Sequence, residues 1–366
     1  MIFDCHLDLA MNAVHWNRDL TKPLDQIRLR ESGMVDKLDR GNGVVCFEEM
    51  SKGNIRFCIA TQIAHSVSQN SPLPGWNSPE IAWAQTQAQL AWYRAMENRG
   101  SLKQITQAAD LEFLLNHKQA SCPIGFVLSL EGADSLLDLS FLGQAYQDGL
   151  RIVGPAHYGP GRYAAGTGET AGFTEIGFDL LKEMTALKMI LDVTHLTDKG
   201  FDQALEQFGG PLIASHHNCR KLVDHQRQLT DQQIRQLLDR GAIIGVALDA
   251  WMLIPNWKRG ETTPDETGVS LHNVADQIEH VCQIAGNANH SVIGSDLDGG
   301  FGHEQTPKEV TTICKLNLLD AILEKRGFPE IDRKKIMHAN AIEFFRRHLP
   351  HQSSVKTGPG STDSSN

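Results

Sequence analysis

Short apolar segments alternate with longer amphipathic segments along almost the whole chain, and this alternation restricts the possible folds more than any other feature. The apolar segments predict strands at 2–8, within 44–63, and at 124–131, 151–157, 189–195, 212–216, 242–248 and 291–296. The amphipathic segments predict helices at 79–98, 141–147, 175–187, 198–207, 231–240, 271–285 and 309–326. Continuous apolar strands are typical of parallel sheets buried on both faces. About eight β/α units in 366 residues therefore predict a (β/α)8 barrel of the TIM type.

A doubly wound open sheet is the alternative fold for such an alternation. It usually has a glycine-rich phosphate turn after its first strand, where this chain has His6 and Asp8. We therefore predict a single barrel domain over residues 1–350, since α/β barrels often exceed the usual domain length. The stretch 48–53 is expected to be a hairpin tip or a bulge. Residues 351–366 are polar and rich in Gly and Ser, which predicts a disordered tail without chemistry.

Charge and cysteine content argue against several classes of protein. A formal net charge of -10 and the lack of a dense Lys/Arg cluster argue against nucleic-acid binding. The seven cysteines form no C-x-x-C pair, so we expect reduced, mostly buried thiols rather than a zinc ribbon or disulfides. The sequence shows neither a secretory signal nor an apolar run long enough to span a bilayer. We therefore expect a cytoplasmic protein without a membrane or nucleic-acid partner.

Side chains that bind metals stand at the ends of the predicted strands. In a parallel barrel the C-terminal strand ends meet at one mouth, where the active sites of such enzymes lie. Those ends carry His6, Asp8, Glu131, His157, His195, His216 and Asp296. Any one of them alone is more often a hydrogen-bonded core or loop residue. Their recurrence at the ends of six predicted strands indicates a metal site.

The individual positions suit metal binding in different ways. His6 and Asp8 are two residues apart on a strand, so their side chains project from the same face and could hold one ion. Glu131 ends a buried strand, where a carboxylate needs a cationic partner, and its two oxygens could bridge two ions. His195 and His216 offer the neutral imidazole nitrogens that suit zinc.

Two positions leave alternatives open. His217 follows His216 and would project to the opposite side of a strand, so either could be the ligand; we assign His216 by analogy with the other strand ends. Asp296 is well placed for proton transfer between a water molecule and a leaving group. Asp298, two residues further on, could face the same mouth or be a simple loop residue.

Seven short segments carry a family resemblance: 4–8 (DCHLD), 129–132 (SLEG), 191–195 (LDVTH), 214–216 (ASH), 224–227 (DHQR), 294–299 (GSDLDG) and 337–341 (MHANA). In their order and spacing they resemble the membrane (renal) dipeptidase family of zinc peptidases, a branch of the amidohydrolase superfamily. The resemblance spans nearly the whole chain before the polar tail. It implies a metal-dependent amidohydrolase barrel that cleaves the amide bond of dipeptides, or of small N-acyl amino acids, with a metal-activated bridging water.

The resemblance also implies a role for each site residue and a cofactor of two divalent ions, with Zn²⁺ as the metal. The metal ligands would be His6 and Asp8 for one ion, His195 and His216 for the other, and Glu131 as the bridge. The remaining roles would be polarisation of the scissile carbonyl by His157, binding of the substrate carboxylate by Arg227, and proton transfer by Asp296. The implied partner is a small dipeptide-like substrate, and a homodimer is the oligomer that the resemblance suggests.

The chain departs from the family pattern around His157. The family typically has Leu-Thr-His followed by Asn, whereas this chain has Pro-Ala-His followed by the glycine-rich segment 159–167. The residue before Asp8 is Leu7, where the family commonly has Asn. Since loops at a barrel mouth shape specificity, the alternative is a hydrolase of the same fold that acts on a cyclic amide, lactone or phosphoester. A non-catalytic barrel that binds a ligand is a further alternative, against which the complete ligand set argues.

Overall fold

The computed structural model describes residues 1–68, 71, 73–117 and 122–351. The predicted polar tail therefore lies outside the described residues, apart from His351. The strands are β1 (Ile2–Leu7), β2 (Ile55–Ile63), β3 (Leu102–Gln104), β4 (Ile124–Glu131), β5 (Leu150–Gly154), β6 (Ile190–Asp192), β7 (Leu212–Ala214), β8 (Ile243–Val246) and β9 (Ser291–Ile293).

The helices alternate with these strands through most of the chain. They are α1 (Leu9–Val14), α2 (Leu24–Glu31), α3 (Phe47–Lys52), α4 (Pro79–Asn98), α5 (Ala108–Asn116), α6 (Leu139–Gln147), α7 (Glu175–Ala186), α8 (Asp198–Gln207), α9 (Asp231–Asp239), α10 (Ala250–Leu253), α11 (Pro264–Thr267), α12 (Leu271–Ala285), α13 (Leu318–Lys325), α14 (Glu330–Lys334) and α15 (Asn340–His348). Short 3-10 turns lie at Ala133–Ser135, His303–Gln305 and Ile313–Asn317, and a π-helical turn, Lys335–Ala339, joins the last two helices.

Eight of the strands form a closed parallel barrel, which confirms the predicted fold. β1 pairs with both β2 and β9, and β2 pairs directly with β4. The ring then continues in chain order from β4 to β9 through parallel pairs. The short strand β3 lies outside the ring, paired with the first half of β4. The closed ring brings the C-terminal ends of its strands to one mouth.

Apolar side chains fill the barrel interior and explain why its strands are apolar at nearly every position. β4 is buried along its entire length. Inside the ring, Phe3 stacks on Phe57, with 5.7 Å between ring centroids, and on Phe345 of α15, at 5.3 Å. A larger apolar layer lies between the strands and the surrounding helices. The interior is therefore a packed core that supports residues at the mouth.

Two local predictions were wrong. Residues 48–52 of the stretch 48–53 lie in helix α3, and Gly53 follows its end. Lys52 stabilises this helix through ion pairs with Glu48 (2.8 Å) and Glu49 (2.7 Å), while Met50 is buried. The first part of the helix predicted at 309–326 is not helical: the helical structure begins with the 3-10 turn Ile313–Asn317 and continues into α13. The backbone of Thr312 is extended immediately before that turn. The second strand, which the sequence placed only within 44–63, is β2.

All seven cysteines are free thiols, as expected. Among the described residues, no helix combines the length and the apolar content that crossing a membrane requires.

Candidate active site

The residues predicted from the strand ends come together at the mouth of the barrel. The structure has a cavity of about 1190 Å³ there. The predicted residues that line it are Asp8, Glu131, His157, His195, His216, Arg227 and Asp296. His6 lies against them, with its Nε2 3.3 Å from the carboxylate of Glu131. The structure therefore gathers all eight predicted residues in one place.

Glu131 stands at the centre of this cluster, and its two oxygens face different histidines. Oε2 is 3.3 Å from Nε2 of His6, on the side where Asp8 also lies. Oε1 is 3.3 Å from Nε2 of His195 and 3.5 Å from Nε2 of His216. The carboxylate thus separates a His6–Asp8 side from a His195–His216 side.

The buried carboxylates of the cluster create a negative potential that favours a bound cation. Burial would lower the pKa of His6, but the carboxylates of Glu131 and Asp8 outweigh it and raise that pKa to about 10. Among the described residues, Nε2 of His6 is buried without a hydrogen-bond partner. Nε2 of His195 and Nε2 of His216 lie 3.2 Å apart, within hydrogen-bond distance of each other. Three imidazole nitrogens that converge on a buried carboxylate form a donor set that fits divalent cations such as Zn²⁺.

Hydroxyl groups hold the histidine rings from behind. The Oγ1 of Thr167 is 2.9 Å from Nδ1 of His195. The Oγ of Ser215 is 3.0 Å from Nδ1 of His216 and 3.2 Å from Nδ1 of His6. With each Nδ1 engaged by a hydroxyl, the Nε2 atoms remain directed toward Glu131, which is how partners behind metal ligands fix ring orientation.

The geometry favours His216 over His217 as the candidate ligand. Nε2 of His216 faces Glu131, whereas His217 does not line the cavity. The backbone N–H of His217 donates to the carbonyl of Gly245 at 2.6 Å, and this bond ties the segment to β8. His217 therefore lies outside the cluster.

Asp296 enters the site from the loop after β9. Its backbone is in the left-handed region, with φ of 60°, and a Cβ at Gly299 would overlap its carboxylate. Its Oδ1 is 3.8 Å from Nε2 of His6. Burial, together with the carboxylates of Asp8 and Glu131, raises the pKa of Asp296 well above its ordinary value. Such a group can hold a proton near neutral pH.

His157 lies at the rim of the cluster rather than within it. Its side chain is 24% exposed, and its Nε2 is 4.0 Å from Oε1 of Glu131. Burial lowers its pKa below the ordinary value for histidine, which favours the neutral ring. A neutral imidazole on the cavity wall can donate a hydrogen bond to a carbonyl oxygen in the cavity.

Arg227 presents a partly unused guanidinium group to the cavity. One nitrogen, Nη2, donates to the carbonyl of His216 at 2.8 Å. Among the described residues, the Nε and Nη1 atoms are buried without a hydrogen-bond partner. Unused N–H groups on a guanidinium that is always charged suit a carboxylate.

The sequence and the fold connect this site to known proteins. The family model of the membrane dipeptidases, peptidase family M19, matches residues 1–354. The chain belongs to this family. That membership confirms the resemblance seen in the strand-end motifs.

Curated relatives of this membrane dipeptidase family member include an uncharacterised protein encoded in the pqqA 5' region of Klebsiella pneumoniae. It is 30% identical over 256 residues, which are 68% of this chain and 89% of that protein. The dipeptidase tcpJ of Claviceps purpurea is 30% identical over 230 residues, which are 61% of this chain but only 51% of tcpJ.

Solved structures of M19 enzymes share the fold. Dipeptidase AC, a metallopeptidase of family M19, superposes with a TM-score of 0.77 at 23% identity and covers 95% of this chain and 98% of its own. A metallopeptidase from Rhodobacter sphaeroides, solved with a phosphinate mimic of the dipeptide L-Ala-D-Ala, has a TM-score of 0.75 at 23% identity. That match covers 95% of this chain and 99% of the other.

Sequence reasoning missed several residues of this dipeptidase-family site. Thr167 comes from the glycine-rich loop after His157, and no sequence signal tied it to His195. Ser215 directly precedes His216, so its place at a strand end could have indicated a supporting role. Asp249 lies just beyond β8, a strand to which no site residue was assigned, and it also lines the cavity.

Proposed function

We propose that this chain is a binuclear metal-dependent dipeptidase that hydrolyses the amide bond of dipeptides or small N-acyl amino acids. The observation that carries the proposal is the position of Glu131, whose Oε2 faces His6 and whose Oε1 faces His195 and His216. A bridging carboxylate between two ions would have this arrangement. Membership of the membrane dipeptidase family supports the same reaction.

His6 and Asp8 would hold one divalent ion, His195 and His216 the other, and Glu131 both. We take both ions to be Zn²⁺, because imidazole and carboxylate ligands suit it. When bound, such ions lower the pKa of a shared water and offset negative charge near the scissile carbonyl. The residues of the chain fix where this chemistry takes place, since the hydroxyls of Thr167 and Ser215 orient the rings.

The remaining residues would act on the substrate. Arg227 would bind the terminal carboxylate with guanidinium N–H groups that lack partners among the described residues. Neutral His157 would donate a hydrogen bond to the scissile carbonyl oxygen from the cavity wall. Asp296, with its raised pKa, would take a proton from the attacking water and deliver it to the departing amine. The ligand of the Rhodobacter sphaeroides structure, a dipeptide mimic, supports a substrate of this size.

Arg227 separates this proposal from hydrolysis of a cyclic amide, lactone or phosphoester, because only a substrate with a free carboxylate needs it. We expect Arg227→Gln to raise KM for dipeptides by about 10- to 100-fold, the loss expected for hydrogen bonds to a charged group. On C-terminally amidated dipeptides, which lack that charge, the variant and the wild type should have the same KM. Arg235→Gln, on the exposed face of α9 and outside the cavity, is the matched control for the loss of one positive charge.

The decisive measurement combines elemental analysis with a panel of L,L-, L,D- and N-acyl substrates. About two zinc ions per chain and hydrolysis of free dipeptides would support the proposal. Absence of bound metal, with no gain of activity when zinc is added, would favour a non-catalytic barrel. An unchanged KM in Arg227→Gln would refute the carboxylate role. Homodimerisation and a cytoplasmic location stay predictions from the sequence.

A further inference from the structure

Asp249 is a buried carboxylate in the cavity that the reaction described above does not use. It lies just after β8 and is only 7% exposed, yet it lines the cavity. The loop after β8 runs beside the loop after β9, where the N–H of Leu248 donates to the carbonyl of Ser295 at 3.0 Å. Asp249 is therefore a neighbour of Asp296 at the mouth of the barrel.

The partners of Asp249 hold its carboxylate in place but do not neutralise it. Nε2 of Gln305 donates to Oδ1 at 2.8 Å, and Oε1 of Gln305 accepts from Nε1 of Trp257 at 3.2 Å. Hydrogen bonds from the backbone and the side chain of Trp251, in the first turn of α10, also stabilise the carboxylate form, but both groups are neutral. Within the described part of the chain, no Lys, Arg or His nitrogen lies within 4 Å of it. Burial raises its pKa to about 7, as expected for a carboxylate without a cation.

The other carboxylates of the cavity have partners. Asp39 accepts from Arg18 at 3.0 Å and from the indole of Trp16. The carboxylates of the central cluster, which are Asp8, Glu131 and Asp296, share His6 and the proposed ions. The exposed side chain of Arg259, which also lines the cavity, acts against the burial that raises the pKa of Asp249, but its guanidinium donates to the carbonyl of Gly300. Asp249 is thus a carboxyl group in the cavity wall that has no cation within ion-pair distance among the described residues, and a nearby ammonium group would favour its ionised form.

We propose that Asp249 is a specificity-determining residue that binds the ammonium group of the substrate. The inference rests on the proposed function and adds a second charge requirement to it. Arg227 offers unused N–H donors to a carboxylate, while Asp249 offers an ammonium group a carboxylate without a cationic partner in the same cavity. A zwitterionic dipeptide carries both charges. Its ammonium group can be the α-amino group or the side chain of a basic N-terminal residue.

Asp249→Asn is the variant that tests this inference. It keeps the shape of the side chain and an oxygen for Gln305, and it removes a buried charge that lacks a cation, so the fold should be retained. Asp265→Asn, on the exposed helix α11, makes the same change in net charge outside the cavity and is the matched control. Thermal unfolding of both variants checks that they fold as the wild type does.

Two matched substrate pairs identify which ammonium group is bound. The first pair is a dipeptide with a free α-amino group and its desamino analogue. The second is a dipeptide with N-terminal lysine and the same dipeptide with norleucine. Binding of the α-amino group predicts that Asp249→Asn lowers kcat/KM about 10- to 100-fold for the free dipeptide and erases its advantage over the desamino analogue. Binding of the side chain predicts that only the preference for lysine is lost.

A binding measurement separates this inference from the proposed function. Calorimetry with a phosphinate dipeptide mimic, with and without its amino group, measures the same preference without turnover. A wild type that prefers the amino form and an Asp249→Asn protein that does not would support the role of Asp249, even if no dipeptide were hydrolysed. Equal ratios within each pair for wild type and variant would overturn it. Failure of the wild type to hydrolyse any dipeptide would refute the proposed function alone.

Discussion

The residues at the mouth divide into those that could hold ions and those that face the cavity without a partner. His6, His195 and His216 direct Nε2 toward Glu131 because hydroxyl groups occupy their Nδ1 atoms. Asp296 differs from them in carrying a carboxylate whose pKa is raised well above its ordinary value by burial and by the carboxylates of Asp8 and Glu131. This property suits a group that takes up and releases protons.

Replacing Asp296 by asparagine tests that role. Asn keeps the size of the side chain but cannot take up or release a proton, so we expect kcat to fall by about 10²- to 10⁴-fold. Metal content should stay at the wild-type value, because the five proposed ligands are unchanged. Initial rates and elemental analysis of the same preparation measure both quantities.

Asp202→Asn, on the exposed face of α8, is the control for the change in net charge. Wild-type turnover in Asp296→Asn would remove it from the proton path. Loss of metal together with activity would instead make Asp296 a ligand, a role open to it because it can meet His6 and His216 around one point.

At the scale of elements, the glycine-rich loop after His157 supports the candidate site through a contact with His195. The N–H of Thr167 donates to the carbonyl of His157 at 2.8 Å, so the loop folds back on its own beginning. That turn places the Thr167 hydroxyl behind His195. A segment that departs from the family pattern thus supports one of the proposed ligands.

Thr167→Val removes this hydroxyl while nearly preserving the volume of the side chain. We expect zinc to bind about 10- to 100-fold more weakly, the usual cost of losing a partner behind a metal ligand. Competition with a chelator of known affinity measures the change. Thr167→Ser keeps the hydroxyl and should retain wild-type affinity. Equal affinity in the valine variant would show that the loop does not orient His195.

The sequence predicts well those elements whose structure follows from residues adjacent in the chain. A buried parallel strand must be apolar, so β4 and its polar end at Glu131 can be read directly from the chain. The role of Thr167 could not be predicted, because it depends on how a glycine-rich loop turns back across the mouth. The helix at Phe47–Lys52 was missed because only tertiary packing buries Met50. Asp249 was overlooked because its importance comes from having no cationic partner nearby, and its neighbours are known only from the folded structure.

At the scale of the whole molecule, the charged cluster needs the barrel to hold it in place, whereas the barrel core does not need the cluster in order to pack. The packed interior, with Phe3 stacked between Phe57 and Phe345, lies within the ring and does not include the charged cluster. The protein should therefore stay folded when metal is removed. The cluster nevertheless joins β1 and β4 to the segments that follow β6, β7 and β9, so bound ions should add stability across the ring.

Zinc titration of the metal-free protein tests this coupling. A ligand that binds only the folded state stabilises it by roughly 4 kcal/mol at a thousand times its Kd. For a chain of 366 residues that gain corresponds to an increase in Tm of about 5 °C. Because Oε2 of Glu131 faces His6 while Oε1 faces His195 and His216, we expect the increase to level off at about two equivalents of zinc, measured by calorimetry with far-UV circular dichroism unchanged. Saturation at one equivalent would contradict the bridging role of Glu131, and unfolding of the metal-free protein would show that the apolar barrel core alone does not sustain the fold.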